Sequence, residues 1–183
     1  QRGQHESIYG ERGVGKTSLD RTFWMRLIRP AKEFSAVPIN CDPADTFTSL
    51  WKKVFRDLSH GDGAEVLSGY PGDVFPDDVR RVLSSFDLNT TPIIILDEFD
   101  KLANVEAKAL VANTIKALSD YSVPATLILV GVARSVSELI TEHQSISRAL
   151  VQVQMPRMKP SELEEILDKR LARLGMKIIK SAK

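Results

Sequence analysis

Apolar and polar positions follow two rhythms along this chain, and stretches of one rhythm alternate with stretches of the other. Phe47, Leu50, Trp51, Val54, Phe55 and Leu58 recur at i, i+3, i+4, i+7, i+8 and i+11, the spacing of one helix face. Pro92-Ile93-Ile94-Ile95-Leu96 is instead a continuous apolar run, as expected of a central parallel strand buried on both sides. Ala125 to Gly131 repeats that signature, and Leu150 to Met155 gives a last strand. Gln4 to Tyr9 and Ala36 to Cys41 supply two more, with Pro38 tolerable near a sheet edge. Between the strands, helical spacing returns at Leu19, Phe23 and Leu27 until Pro30, and again at Val79, Val82, Leu83 and Phe86. Asn104 caps a long helix carrying Ala107, Leu110, Val111, Thr114, Ile115 and Leu118. Ser135 with Glu138 predicts a capping box for a short helix, and Ser161 with Glu164 caps the final one. That final helix places Leu163, Ile166, Leu167, Leu171 and Leu174 inside, with Gly175 past its end. Ser59 to Pro76 has no usable period and reads as a loop. Strands alternating with helices predict an α/β fold: a three-layer αβα sandwich around a five-stranded parallel sheet, with right-handed crossovers.

Where the first strand meets its helix, the sequence reads Gly10-Glu11-Arg12-Gly13-Val14-Gly15-Lys16-Thr17, the pattern of a phosphate-binding loop in the strand–loop–helix context that the pattern requires. Gly10, Gly13 and Gly15 allow backbone angles and close approach that a Cβ would block, so successive N–H groups can turn toward phosphate oxygens. Lys16 places a compact positive charge on the outer phosphates. The Thr17 hydroxyl suits a magnesium ion (Mg2+) bridging them, and the helix that starts here points its positive end at the same anion.

Composition narrows the class without deciding the function. With 183 residues, 43% hydrophobic, 27% charged and a net charge of +1, the chain reads as about one ordinary globular domain. That balance makes no global electrostatic case for nucleic acid and leaves open a local basic face or a DNA-binding module elsewhere. Cys41 is the only cysteine, so there is no internal disulfide and no cysteine-rich metal cluster, and a reducing, cytoplasmic setting is expected. His5, His60 and His143 share no motif, so no metal site is expected from them; Trp24, Trp51 and Cys41 read as packing. No apolar run has the length of a membrane span. Beginning at Gln1, just ahead of the first strand, the chain reads as a piece of something longer.

A second chemical signal lies at the end of the central strand, in Leu96-Asp97-Glu98. Ligands collect at the C-terminal ends of strands in open α/β sheets, so both acids arrive beside the phosphate loop. Asp97 is placed to hold magnesium through its water shell, and Glu98 to orient and deprotonate an attacking water. A glutamate adjoining the metal-binding aspartate suits hydrolysis. No N-K-x-D guanine-reading motif is present, which makes ATP the preferred nucleotide.

Together, Tyr9-Gly10-Glu11-Arg12-Gly13-Val14-Gly15-Lys16-Thr17-Ser18, Ile39-Asn40-Cys41 and Leu96-Asp97-Glu98-Phe99-Asp100-Lys101-Leu102 resemble the AAA+ ATPases. The nearest branch is that of the origin-recognition initiators and related bacterial AAA ATPases, among them signalling STAND proteins and transposition helpers. The resemblance runs from Tyr9 to about Leu174. It implies sheet order 5-1-4-3-2, nucleotide at the subunit interfaces of a ring or filament, and a nucleotide-binding core over residues 1–158. Residues 159–183 would then start a truncated helical lid. Arg148 resembles an arginine finger acting in trans on a neighbour's nucleotide, and Asn40 the polar residue that restrains the catalytic glutamate in an off state. The sensor position after the fourth strand is Arg134, where the family prefers an uncharged polar residue; neighbouring Ser135 is an alternative. The implied cofactors are ATP and magnesium. The implied partner is a second copy, with a DNA or protein partner left to domains outside the chain and no membrane. Three readings follow. An ATPase would use turnover to move attached domains and would be weak as this isolated piece, a signalling switch would hold nucleotide without turnover, and a non-nucleotide module would require both motifs to be accidental.

Overall fold

A computed structural model describes residues 4–16, 34–58, 72–86, 91–140 and 146–176. Its five strands are β1 (His5–Gly10), β2 (Phe34–Asn40), β3 (Thr91–Asp97), β4 (Thr126–Val132) and β5 (Leu150–Met155). All neighbours are parallel, in the order β2-β3-β4-β1-β5, which is the expected 5-1-4-3-2 read from the other edge. Described helices are α1 (Phe47–Leu58), α2 (Pro76–Ser84), α3 (Val105–Asp120), the short α4 (Val136–Leu139) and α5 (Ile146–Ala149), and α6 (Pro160–Arg173). A 3-10 turn, Phe99–Lys101, follows β3.

Every residue of β3 is buried, which explains its unbroken apolar run. Alternate residues serve opposite faces. Ile94 and Leu96 join Leu127 and Leu129 in the main core with α1, α2 and α3, while Ile93 and Ile95 meet Ile128 and Val130 on the other side. The edge position of β2 accommodates Pro38. The helix expected over residues 17–28, Trp24 included, lies outside the described residues.

Helix α1 buries all six residues of its predicted stripe. Its rings step along one face, Phe47 to Trp51 at 6.1 Å and Trp51 to Phe55 at 5.8 Å between centroids. Buried Asp45 fixes the turn that feeds it, accepting from the Asp42 amide at 2.8 Å, the Ser49 hydroxyl at 2.9 Å and the Lys53 ammonium at 2.7 Å. Asn104 caps α3 as expected, accepting from the Ala107 amide at 3.0 Å.

Two local expectations need correction. Ser135 does not cap α4 with its side chain. Its hydroxyl meets that of Ser137 at 2.8 Å, and the Glu138 carboxylate takes the Arg134 amide at 2.7 Å, one residue ahead of the cap. The final helix begins two residues earlier than the Ser161–Glu164 box implied. Pro160 occupies its first turn, and the Lys159 amide donates to the Glu162 carboxylate at 2.7 Å. No residue of α6 is buried; Leu163, Ile166, Leu167 and Leu174 are exposed rather than inside. The stripe is real, but no described element buries it. Gly175 ends the helix at φ 66°, as the sequence predicts.

Candidate functional site

The loop that leaves β1 is shaped by three glycines for two different reasons. Gly13 (φ 83°) and Gly15 (φ 89°) are left-handed, a conformation that a side chain disfavours. Gly10 is in register with Met155 of β5, and a Cβ there would lie 2.5 Å from the Met155 carbonyl oxygen. Contact between strands therefore requires that glycine, rather than the approach of a phosphate.

Lys16 follows and is 8% exposed. Its Nζ donates to the Gly10 carbonyl at 2.9 Å and to the Glu11 carbonyl at 2.7 Å, closing the loop on itself. Burial lowers the ammonium pKa, while Asp100 and Asp97 oppose that shift. Thr17 and Ser18 lie outside the described residues.

Across from the loop, β3 delivers Asp97, which is 5% exposed, and then Glu98 in a left-handed conformation at φ 56°. The Glu98 amide donates to the Asp97 carboxylate at 2.8 Å, and the Cys41 amide donates to the Asp97 carbonyl at 2.9 Å. Next in the turn, the Asp100 carboxylate accepts from the Val132 amide at 2.8 Å, tying the end of β3 to the end of β4. Lys101 Nζ lies 2.6 Å from Glu98 Oε1. A cavity of about 590 Å³ joins these parts, with Arg12, Gly13, Gly15 and Lys16 on one wall and Asp97, Glu98, Asp100 and Lys101 on another. Gly131 and Val132 complete it.

The remaining predicted residues stand at varying distances from this cavity. Asn40 ends β2 in register with Asp97 and is exposed; among the described residues, the ion-pair partner of the Glu98 carboxylate is Lys101. Arg134 is exposed and does not line the cavity. Arg148 sits in α5 immediately ahead of β5, and its side chain lies outside the described residues. Val14 and Glu11 turn to a different neighbour. Val14 borders a second cavity of about 360 Å³ with Met155, Met158 and Ile166, and Glu11 pairs with Arg157 of the segment that follows β5.

Sequence reasoning missed Asp100, Lys101 and Arg157. The pairing of Glu98 with Lys101 depends on the 3-10 turn after β3, which the residues alone do not specify. Nothing local connects Glu11 with Arg157, 146 positions later. The residues read as packing behave so: Cys41 is buried with its thiol pushed up to about 12, chiefly by burial and then by Asp45, and Trp51 is fully buried. His5 is also fully buried, its Nδ1 accepting from the Leu127 amide at 3.0 Å.

The sequence matches the AAA domain family over residues 2–140. It is 26% identical over 167 residues to an ORC1-type DNA replication protein 2 of Thermoplasma acidophilum, covering 90% of this chain and 40% of that protein. Among solved structures it shares the fold of the Aeropyrum pernix ORC1 protein in complex with DNA, with a TM-score of 0.68 and 17% identity, over 93% of this chain and 44% of that one. The Aeropyrum pernix ORC2 protein, solved as ADPNP–ADP complexes, gives a TM-score of 0.63 at 18% identity, over 93% and 46%. The chain thus spans less than half the length of each of these relatives. With the family matched over most of its residues and the phosphate loop facing the paired acids of β3, the chain belongs to the AAA+ family of phosphate-loop ATPases.

Proposed function

We propose that this chain is an ATP-binding and ATP-hydrolysing core whose nucleotide state governs the assembly and movement of attached domains. The observation that carries the reading is the single cavity lined by Lys16 and the phosphate loop together with Asp97 and Glu98. Residues 10–18 hold the phosphates through their backbone N–H groups, and Lys16 meets the outer ones. Thr17 and Asp97 would hold magnesium, which when bound neutralises charge developing on the phosphates. The donor set fits that ion, since a hydroxyl and a buried carboxylate are hard oxygen ligands. Glu98 orients and deprotonates the attacking water.

Arg148 is assigned to the nucleotide of a neighbouring copy, Asn40 to restraint of Glu98, and Arg134 to the sensor position, all three on the family resemblance. Self-association through the nucleotide interface follows from the first assignment. A boundary after residue 158 is supported by α6, which buries nothing against the core. The relative solved with DNA supports a DNA or protein partner for the whole protein, held by domains outside this chain. Among the described residues, no helix is long and apolar enough to cross a membrane.

A second reading, a switch that holds nucleotide without turnover, draws support from Lys16 and Glu98 both being engaged by their own loop and turn. Measuring ATP binding and steady-state hydrolysis on the full-length protein separates the two. On the first reading Glu98→Gln keeps ATP bound and loses about 10²–10⁴ in turnover. Hydrolysis by that variant at the wild-type rate sinks the assignment of Glu98, and wild-type binding without turnover favours the switch.

A further inference from the structure

The paired acids and the phosphate loop stand on strands that are not neighbours, because β4 runs between β3 and β1. Pairing of β3 with β4 stops at Leu96 and Leu129, whereas β4 goes on beside β1 as far as Val132, opposite Gly10. Beyond Leu129, then, β4 follows the strand of the loop and no longer the strand of the acids. The Asp100 side chain spans that split, its carboxylate accepting from the Val132 amide at 2.8 Å. Its mount is firm. Asp100 belongs to the 3-10 turn Phe99–Lys101, which is seated by the fully buried Phe99 and Leu102 and closed by the Leu102 amide on the Phe99 carbonyl at 3.3 Å.

We infer that Asp100 is a positioning residue: by tying the end of β4 to the turn after β3, it fixes the separation of the acid pair from the phosphate loop, and with it the rate of turnover. This rests on the reading of Asp97 and Glu98 as the acids of hydrolysis. The connection is short, since Val132 pairs with Gly10 at the start of the loop, and Gly131 and Val132 line the cavity between loop and acids. A misplacement of about 1 Å between reacting groups costs on the order of 10²-fold in rate. Phosphate binding rests on Lys16 and the backbone N–H groups of the loop, and does not need the tether. The same carboxylate also acts through its charge. Burial lowers the Lys16 pKa, and Asp100 is the foremost of the charges opposing that shift, ahead of Asp97. Asparagine separates the two effects, because its side-chain oxygen can accept from the Val132 amide without carrying a charge.

The test compares full-length wild type with Asp100→Asn, Asp100→Ala and Asp100→Leu, reading ATP affinity by fluorescent-nucleotide titration, kcat at saturating ATP with magnesium, and hydrogen exchange at the end of β4. Leucine keeps the branched shape of aspartate without an acceptor, and serves where alanine does not fold. Alanine and leucine are expected to lower kcat about 10- to 100-fold with the Kd for ATP unchanged, and to speed exchange of the Val132 amide. Asparagine is expected to recover most of both the rate and the protection. A merely structural role would lower the melting temperature without that split between kcat and Kd and without rescue by asparagine. Wild-type kcat in the alanine or leucine variant overturns the inference, as does a loss that falls on Kd. An asparagine variant as slow as alanine also overturns it, by assigning the effect to charge. A wild type that binds ATP without turnover, or a Glu98→Gln variant with full activity, overturns the hydrolysis reading and this inference with it, a failure told apart because it appears with Asp100 intact.

Discussion

Lys16 donates its ammonium to the carbonyl of Glu11 at 2.7 Å, so the cation that defines a phosphate loop is here held by the loop. Its second bond goes to the Gly10 carbonyl at 2.9 Å, and the third N–H of the ammonium is left for a phosphate oxygen. Charge-assisted bonds of this type contribute about 1.5–3 kcal/mol. Lys16→Ala is therefore expected to weaken ATP binding by about 10- to 100-fold while leaving the fold intact, as read by titration with a fluorescent nucleotide and by circular dichroism. Unaltered affinity would mean that the nucleotide does not reach this loop.

Substitutions at the glycines separate the fold from the site. A methyl group at Gly10 meets a carbonyl oxygen of β5 at 2.5 Å, and backbone on both sides has little room to yield. Gly10→Ala is expected to destabilise the protein by about 1–3 kcal/mol in urea unfolding without nucleotide. At Gly13 a Cβ would find nothing within 4 Å, and only its φ of 83° objects. A Gly10→Ala protein as stable as the wild type would contradict the β1–β5 contact.

His5 predicts a pH dependence with a definite sign. Burial pulls its pKa down to about 4 from the model-peptide value of 6.5, so it stays neutral in the folded protein while the unfolded chain takes up a proton. The unfolded state binds more protons between those values, so the contribution is complete above about pH 6.5 and falls away as the pH drops toward 4. The loss attributable to His5 is roughly 2–4 kcal/mol, from 1.36 kcal/mol per unit. Urea unfolding at pH 7 and pH 4.5 should show it, and His5→Asn, which can still accept from the Leu127 amide, should remove most of it. Equal pH slopes in the two proteins would refute the assignment.

Some of this architecture is legible in the sequence because a single element encodes it. The stripe from Phe47 to Leu58 and the run from Ile93 to Leu96 each fix which residues are buried, and the loop from Gly10 to Lys16 announces its chemistry by spacing alone. An amphipathic stripe, however, says only that a face wants apolar company. Leu163, Ile166 and Leu167 look like core residues by period yet stay exposed, because burial depends on where the chain carries the helix. The same holds for the pairing of Glu11 with Arg157 and for the real reason Gly10 is glycine, since both rest on β5 running beside β1. The Glu98–Lys101 pair needed only the 3-10 turn after the strand, a geometry that the residues alone do not specify.

The left-handed backbone at Glu98 has a consequence for how this protein can be improved. A residue with a side chain in that region carries about 1–3 kcal/mol of local strain, which glycine would relieve. Glu98→Gly is therefore expected to raise the melting temperature while removing the carboxylate altogether. Selection for thermal robustness alone would drift toward that inert solution, so any screen that hardens this domain has to score turnover alongside stability.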